Sequence, residues 1–260
     1  MPFANTRMIH LKTLEEVEIM AEGGRSLAEI LERLKNETVA GVRTKALDKL
    51  AFDLIAQWGA EPAFLGYKPH GSGKAYPATL CVSVNETVVH GLPSEYVIQD
   101  GDLVKLDLGL IHQGFYLDAA ITVGVGAVSK EARSLIAATE EALYAGIREA
   151  HPGNTIGDIG AAVEAVAKRA GFSAVTALGG HGIGRELHED PHLSSVGPAG
   201  RGEELKAGMA LAIEPMVGMG SGKVRQMSDD SFVTTDGSLA AHFEHTVAIT
   251  EKGTRVLTKI

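Results

Sequence analysis

The chain has 260 residues, of which 45% are hydrophobic and 22% charged, a composition typical of an ordinary globular protein. Its formal net charge is −9 and it has no run of basic residues, which argues against a specific nucleic-acid partner or an anionic membrane surface. Its single cysteine, Cys81, excludes an intrachain disulfide, and the N-terminus has no long apolar segment. We therefore expect a soluble cytoplasmic protein without membrane association.

Four helices are predicted, in two pairs. They begin near Thr13, Thr44, Ser129 and Thr155. The first is marked by a capping box, Thr13 with Glu16, ahead of apolar residues at helical spacing, and the second ends around Trp58, before Gly59.

Apolar runs typical of strands follow each pair of helices. They cover 79–84, 102–109, 115–123, 209–217 and 242–250. The order indicates an α+β fold with two similar halves, roughly 13–125 and 129–250, which arise either from an internal duplication or from chance similarity. No linker-like composition separates the halves, so a single domain over 1–260 is predicted.

Two carboxylates interrupt the segment VKLDLGLIHQGFYLDAAIT, in which strands would otherwise be apolar. A hairpin closed on His112 and Gln113 would place Asp107 directly opposite Asp118, with Cβ atoms about 4.5–5.5 Å apart. Such a pair requires protonation of one acid, a cationic neighbour such as Lys105, or a metal ion. The segment alone leaves these alternatives open.

Further acids in apolar runs favour the metal. Glu214 lies in ALAIEPMVG and Glu244 in AHFEHTVAIT, with no comparable set of basic residues beside them. Oxygen-rich sites favour ions such as Mn²⁺, Fe²⁺ or Co²⁺ over a thiolate-type zinc site.

Histidines offer candidate nitrogen ligands. His181 lies between glycines, which permit a close approach of the backbone, and His90 and His188 stand beside turn-forming residues. His242 and His245 flank Glu244, as supporting groups or as plain strand residues.

Taken together, these motifs resemble type I methionine aminopeptidases of the pita-bread metallopeptidase family. The similarity extends from IHLKTLEEVEIMAEGGR to the end, through CVSVNETVVHGLP, DLVKLDLGLIHQGFYLDAA, GGHGIGRELHEDP, LAIEPM and FEHTVAIT. It implies a pita-bread fold, with a curved, mainly antiparallel sheet covered by helices. The implied activity is removal of the initiator methionine from nascent proteins whose second residue is small, by attack of a hydroxide that bridges two metal ions.

The resemblance also implies a role for each site residue. The implied metal ligands are Asp107, Asp118, His181, Glu214 and Glu244, all present here. Asp107 and Glu244 would bridge two divalent ions (Mn, Fe, Co or Zn), Asp118 would chelate one, and His181 and Glu214 would hold the other.

Three side chains, one of them a metal ligand, would act on the substrate. His188 would stabilise the oxyanion and His90 would contact the substrate near the departing nitrogen, while Glu214 would shuttle the proton.

The implied methionine pocket is less well defined by the sequence. Cys81 occupies a family pocket position, where core packing is the alternative, and Phe232 and Leu187 are further wall candidates. The family's short Tyr-His-Gly-Phe-Pro segment is replaced by the longer YKPHGSGKAYP, so the aromatic role falls to Tyr67 or Tyr76, and His70 has no assigned role.

Related classes predict other features. Prolidases, aminopeptidases P and creatinases carry a large N-terminal domain, and type II enzymes carry an insertion between the last two acids, for which Glu214 and Glu244 lie too close. A non-catalytic binding protein with this fold would have lost ligands and gained basic tails. We expect a monomer that acts on nascent polypeptide N-termini, with contact to the ribosome left open.

Overall fold

In the computed structural model, residues 9–68 and 74–260 are described, so His70 and the middle of the Tyr67–Pro77 loop lie outside the described residues. These residues form helices α1 (Leu14–Glu37), α2 (Thr44–Gln57), α3 (Lys130–Glu149) and α4 (Ile156–Arg169). The strands are β1 (Glu61–Pro62), β2 (Leu80–Val84), β3 (Thr87–Val89), β4 (Leu103–His112), β5 (Phe115–Gly124), β6 (Ser173–Ala174), β7 (Gly179–Gly182), β8 (Glu189–Ser194), β9 (Ala210–Ile213), β10 (Met216–Gly218), β11 (Val224–Gln226), β12 (Phe232–Thr234), β13 (Ala240–His242), β14 (Glu244–Thr250) and β15 (Gly253–Val256). Two helices precede the strands of each half, as predicted, while the duplication itself stays a prediction.

The helix ends follow the sequence signals, with one correction. At α1 the Thr13 hydroxyl accepts the Glu16 N–H (3.2 Å) and the Glu16 carboxylate accepts the Thr13 N–H (2.9 Å), so the capping box is confirmed. At α2 the N-cap is Arg43, and Thr44 is already helical. The Thr44 hydroxyl instead donates to the Ser94 carbonyl (3.1 Å) and accepts the Ser94 N–H (2.8 Å), which ties the start of this helix to a distant loop.

The main sheet has nine strands in the described part of the chain, in the order β1-β4-β5-β14-β9-β7-β8, with β2 beside β4 and β15 beside β14. Every pairing within it is antiparallel, which agrees with the predicted sheet. Two smaller sheets, β13-β10-β6 and β11-β12-β3, complete the strands.

Helix packing decides which face of the sheet is free for a site. The apolar stripe of α1, including Met20 and Leu27, packs with Leu106 and Leu108 of β4. Each such side chain contributes about 1.5–3 kcal/mol when fully buried. Because successive strand residues point to opposite faces, Asp107 is directed away from this core.

The hairpin of β4 and β5 closes one residue later than predicted. Its turn residues are Gln113 and Gly114, both with positive φ (49° and 79°), which suits the twist of a two-residue hairpin. Asp107 therefore pairs with Ala120, and Asp118 pairs with Gly109. The predicted direct pairing of the two aspartates is wrong, although a shift of two positions keeps both on the same face.

Two predicted strands are each divided at or next to an acidic residue. The run 209–217 separates into β9 and β10 at Glu214 and Pro215, because proline has no N–H to continue a ladder. The run 242–250 separates into β13 and β14, and Glu244 opens the second.

The glycines around His181 do permit a close approach, but of neighbouring strands rather than a ligand. A Cβ on Gly180 would lie 2.2 Å from the Ala212 carbonyl oxygen, and one on Gly182 would lie 2.2 Å from the Asp190 carbonyl oxygen. These glycines therefore let β7 fit between β8 and β9.

Candidate metal centre

Three neighbouring strands align three acids on one face of the sheet. Ala120 of β5 is paired with Asp107 on one side and with Glu244 of β14 on the other. Asp118 lies two residues before Ala120 on the same face of β5. The small alanine leaves the space between Asp107 and Glu244 open, so the three carboxylates surround a common volume.

His181 and Glu214 come from the adjoining strands. His181 of β7 pairs with Ala212 of β9, and Glu214 follows the end of β9. The Nε2 atom of His181 lies 3.7 Å from Oε1 of Glu214. One ligand atom each of Asp118, His181 and Glu244 lies within 4.8 Å of the other two. The fold thus brings the five predicted ligands to one region.

Hydrogen bonds outside the cluster orient two of these residues. Nδ1 of His181 lies 2.9 Å from the Gly182 carbonyl oxygen, so this nitrogen carries the proton and Nε2 is left as the electron-pair donor. On β5 the Asp118 N–H donates to the Thr246 hydroxyl (3.0 Å), which donates in turn to the Asp118 carbonyl (2.7 Å). The backbone beneath Asp118 is therefore fixed from β14.

The carboxylates are buried without sufficient protein partners. Oδ1 of Asp107, Oδ1 of Asp118 and Oε1 of Glu244 are inaccessible and have no hydrogen-bond partner. Orphaned buried oxygens are rare because each loses its hydration without compensation. A set of carboxylates and one imidazole is a suitable donor set for hard or borderline divalent cations, so these residues fit a metal centre.

Burial and mutual repulsion leave a clear electrostatic signature. Burial raises the pKa of Asp107 well above its ordinary value, and the charge of Asp118 adds to the shift. Burial also raises the pKa of Asp118 to about 7 and raises the pKa values of Glu214 and Glu244. Divalent cations would reverse these shifts, because they stabilise the ionised carboxylates.

Lys105 does not provide the counter-charge. It is fully buried two residues before Asp107, yet its ammonium group donates to the carbonyl oxygens of Asn85 (2.7 Å) and Leu103 (3.4 Å). The alternative of an ion pair between Lys105 and Asp107 is therefore not supported by the geometry.

His242 is the buried group that the sequence left undecided. Its side chain is 1% exposed, and Nε2 lies 3.4 Å from Oε2 of Glu214 and 4.0 Å from Oε2 of Glu244. His242 therefore lies close to both glutamates, but its ring nitrogens have no hydrogen-bond partner. His245 points elsewhere, with Nδ1 2.9 Å from the Thr258 hydroxyl.

A cavity of about 280 Å³ lies beside these ligands, and His90, His188 and Met216 are among its lining residues. The ring centroid of His188 is 4.3 Å from that of His181. His90 has a left-handed backbone (φ 59°), a conformation that non-glycine residues adopt at a cost and often at functional sites. Desolvation in the cleft lowers the pKa of His90 and lowers the pKa of His188 to about 4, so both imidazoles are neutral at pH 7.

The predicted pocket residues occupy different surroundings. Cys81 is buried on β2 opposite Asp107, and Phe232 packs edge-on against His90, with 5.8 Å between ring centroids. Leu187 is buried in the core that includes Cys81. No local pattern predicted that Tyr67 would reach His188, because 121 residues separate them.

Comparisons with known proteins agree with this geometry. The profile described as metallopeptidase family M24 matches residues 18–251. The chain is 45% identical to a methionine aminopeptidase of Clostridium perfringens over 254 residues, which cover 97% of this chain and 100% of that protein.

Solved structures extend the comparison. A methionine aminopeptidase from Thermotoga maritima matches with a TM-score of 0.93 and 40% identity, covering 97% of this chain and 100% of that one. A prolidase from Pyrococcus furiosus matches with a TM-score of 0.77 and 26% identity, but this chain covers only 65% of it. The predicted resemblance and the pita-bread fold are confirmed. None of the helices formed by residues 9–68 and 74–260 has the length and apolar run needed to cross a bilayer.

Proposed function

We propose how this site works on the premise that the chain belongs to metallopeptidase family M24, which its family profile and its full-length relatives show. The chain is a metal-dependent methionine aminopeptidase, an enzyme that hydrolyses the bond after an N-terminal methionine. We propose which residues bind the metal ions and act on the substrate, how many ions bind and which substrates are preferred.

Five residues hold the ions in this proposal: Asp107, Asp118, His181, Glu214 and Glu244. The observation that carries it is the set of buried carboxylate oxygens without partners on one face of the sheet. Four carboxylates balance the charge of two divalent ions, so two is the stoichiometry that we propose. Bound there, such ions supply a water of lowered pKa and polarise the substrate carbonyl.

The two cleft histidines act on the substrate. A neutral imidazole carries one N–H, and His188 donates its N–H to the oxygen of the scissile carbonyl as negative charge develops. His90, on the wall formed with Phe232, contacts the substrate near the departing nitrogen. Glu214 accepts a proton from the attacking water and passes it to that nitrogen, a role suited to a buried carboxyl group whose pKa is shifted by its surroundings.

The small cavity has room for only the first residues of a substrate. At about 280 Å³ it lies just below the roughly 300–1,000 Å³ range of ligand sites, which suits a methionine followed by a small residue. A free α-amine near the metal ligands would distinguish a chain end from an internal peptide bond. We propose nascent polypeptide N-termini as the substrates of a monomeric cytoplasmic enzyme, without specific nucleic-acid or membrane binding.

A substrate panel tests this function. Chelator-treated protein is reloaded separately with Mn²⁺, Fe²⁺, Co²⁺ or Zn²⁺ and incubated with Met-Ala-Ser, Met-Arg-Ser, Leu-Ala-Ser and N-acetylated Met-Ala-Ser. We expect release of methionine from Met-Ala-Ser alone, and only with metal present. Release of leucine at a comparable rate, or turnover of the blocked peptide, would indicate a different peptidase class.

A further inference from the structure

Tyr67 and His188 form a short contact at the edge of the cleft. The Tyr67 hydroxyl oxygen lies 2.6 Å from Nδ1 of His188, a short hydrogen bond between groups 121 residues apart. The two rings are also in contact, with centroids 5.3 Å apart and an angle of 46° between their planes.

The backbone holds the tyrosine in place. The Tyr67 carbonyl accepts the Tyr76 N–H (2.8 Å), and the Tyr76 carbonyl accepts the Gly66 N–H (2.8 Å). The Tyr67 N–H donates to the Phe64 carbonyl (2.9 Å). Two of these hydrogen bonds involve Tyr67 and the third involves the preceding Gly66, so the backbone that carries the Tyr67 side chain is held in place.

The residues that precede and follow His188 are both held in place. Leu187, which precedes it, is buried, and Glu189, which follows it, forms an ion pair with Lys12. Its ring stands beside His181, with 4.3 Å between the centroids. With Nδ1 engaged by Tyr67, the nitrogen left to meet a substrate is Nε2.

We propose that Tyr67 is a positioning residue whose hydroxyl donates to Nδ1 of His188 and thereby holds the proton of the neutral imidazole on Nε2. A neutral imidazole has one N–H, so a donor at Nδ1 selects the tautomer protonated at Nε2. This inference rests on the proposed role of His188, because only that tautomer can donate from Nε2 to the developing oxyanion. Burial raises the pKa of Tyr67, which keeps the phenol protonated and able to donate.

Other tyrosines in the chain differ in their partners. The Tyr76 hydroxyl donates to the carbonyl oxygens of Gly91 (3.0 Å) and Leu80 (3.3 Å), so these partners are backbone groups. Tyr144 lies beside His245, but its hydroxyl is 3.4 Å from Nε2, a much longer contact. Tyr144 with His245 is therefore a matched tyrosine–histidine pair for a control.

The test is the tautomer of His188, read at pH 7.5 from two-bond ¹H–¹⁵N spectra of the chelator-treated, ¹⁵N-histidine-labelled full chain. The signal is assigned by its loss in His188→Gln. Wild-type protein should show a protonated Nε2 and an unprotonated Nδ1, whereas Tyr67→Phe should show a mixture of both tautomers.

In the metal-loaded enzyme, Tyr67→Phe should lower kcat for Met-Ala-Ser by about 10-fold, with KM changed less than about 2-fold, in line with the loss of other orienting partners. Tyr144→Phe should alter neither the His188 tautomer nor kcat.

Two results would overturn the inference. One is a wild-type His188 that carries its proton on Nδ1, which decides the matter even if Tyr67→Phe fails to fold. The other is a Tyr67→Phe protein that keeps the tautomer and full kcat, and this leaves the proposed function intact as long as the wild type cleaves Met-Ala-Ser. If the wild type fails to cleave that peptide, the proposed function is lost, while the tautomer still decides whether Tyr67 donates.

Discussion

Lys12 and Glu189 are buried to a similar extent as the acids of the metal centre, yet their charges are compensated within the chain. Their side chains are 4% and 7% exposed and form an ion pair. Oε1 of Glu189 also accepts the N–H groups of Arg185 (2.6 Å) and Glu186 (3.2 Å), and the Lys12 ammonium donates to the His10 carbonyl (2.9 Å). Both charges therefore have partners from the protein alone.

The acids of the metal centre have no such compensation. Among the residues that the structure describes, the basic side chains close to Glu214 and Glu244 are the imidazoles of His181 and His242. Burial lowers the pKa of each to about 3, so neither supplies a positive charge at pH 7. Burial of charge costs desolvation free energy in both regions, but only the pair of Lys12 and Glu189 recovers that free energy through contacts within the protein. Buried charge that the chain leaves uncompensated marks the place where an external cation belongs.

Breaking the compensated pair should lower the stability of the folded state. Lys12→Met leaves the Glu189 carboxylate buried without its ammonium partner, so we expect the free energy of unfolding to fall by about 3–5 kcal/mol in urea denaturation. The number of bound metal ions should be unchanged. The double variant Lys12→Met/Glu189→Gln should recover part of the loss, since it removes the stranded charge. A loss below about 1 kcal/mol in the single variant would show that the pair does not offset its own burial.

The uncompensated acids should make a pH-dependent contribution to stability. The pKa of Asp118 rises from 3.8 to about 7 in the folded chain, so between these values the folded state binds a proton that the unfolded state does not. Stability from this group is therefore lost as the pH rises through that range. In metal-free protein, Asp118→Asn should become progressively more stable than wild type between about pH 4 and pH 7, measured as the difference between their unfolding free energies.

The control for this pH dependence is Asp158→Asn. Hydrogen bonds from Thr155 lower the pKa of Asp158, so the contribution of this carboxylate to stability changes only as the pH falls below its ordinary pKa. The difference between Asp158→Asn and wild type should therefore stay constant between about pH 4 and pH 7. A constant difference for Asp118→Asn as well would mean that burial does not destabilise the ionised Asp118 carboxylate.

Local signals predicted the helices because caps and apolar periodicity act within a few residues. Thr13 with Glu16 fixed the start of α1, and Ser129 caps α3 as its sequence indicates. The hairpin register failed for a similarly local reason. The positive φ angles of Gln113 and Gly114 close the turn, and His112 instead pairs with Phe115 as the last strand residue.

Long-range arrangements could only be predicted in part. The ligand types were recognisable because acids interrupt apolar runs, but the alignment of Asp107, Ala120 and Glu244 depends on pairing between β5 and β14. The contact of Tyr67 with His188 depends on two loops meeting across the cleft, for which neither segment carries a periodic signal.

The most direct measurement is the metal stoichiometry of wild type and Asp107→Asn. Chelator-treated proteins are titrated with Co²⁺ in a calorimeter, and turnover of Met-Ala-Ser is measured on the same samples. The wild type should bind two ions per chain, and Asp107→Asn should bind fewer and lose more than about 100-fold in turnover, since a direct ligand should matter more than an orienting neighbour. Full metal binding together with full activity in Asp107→Asn would contradict the five-residue metal centre.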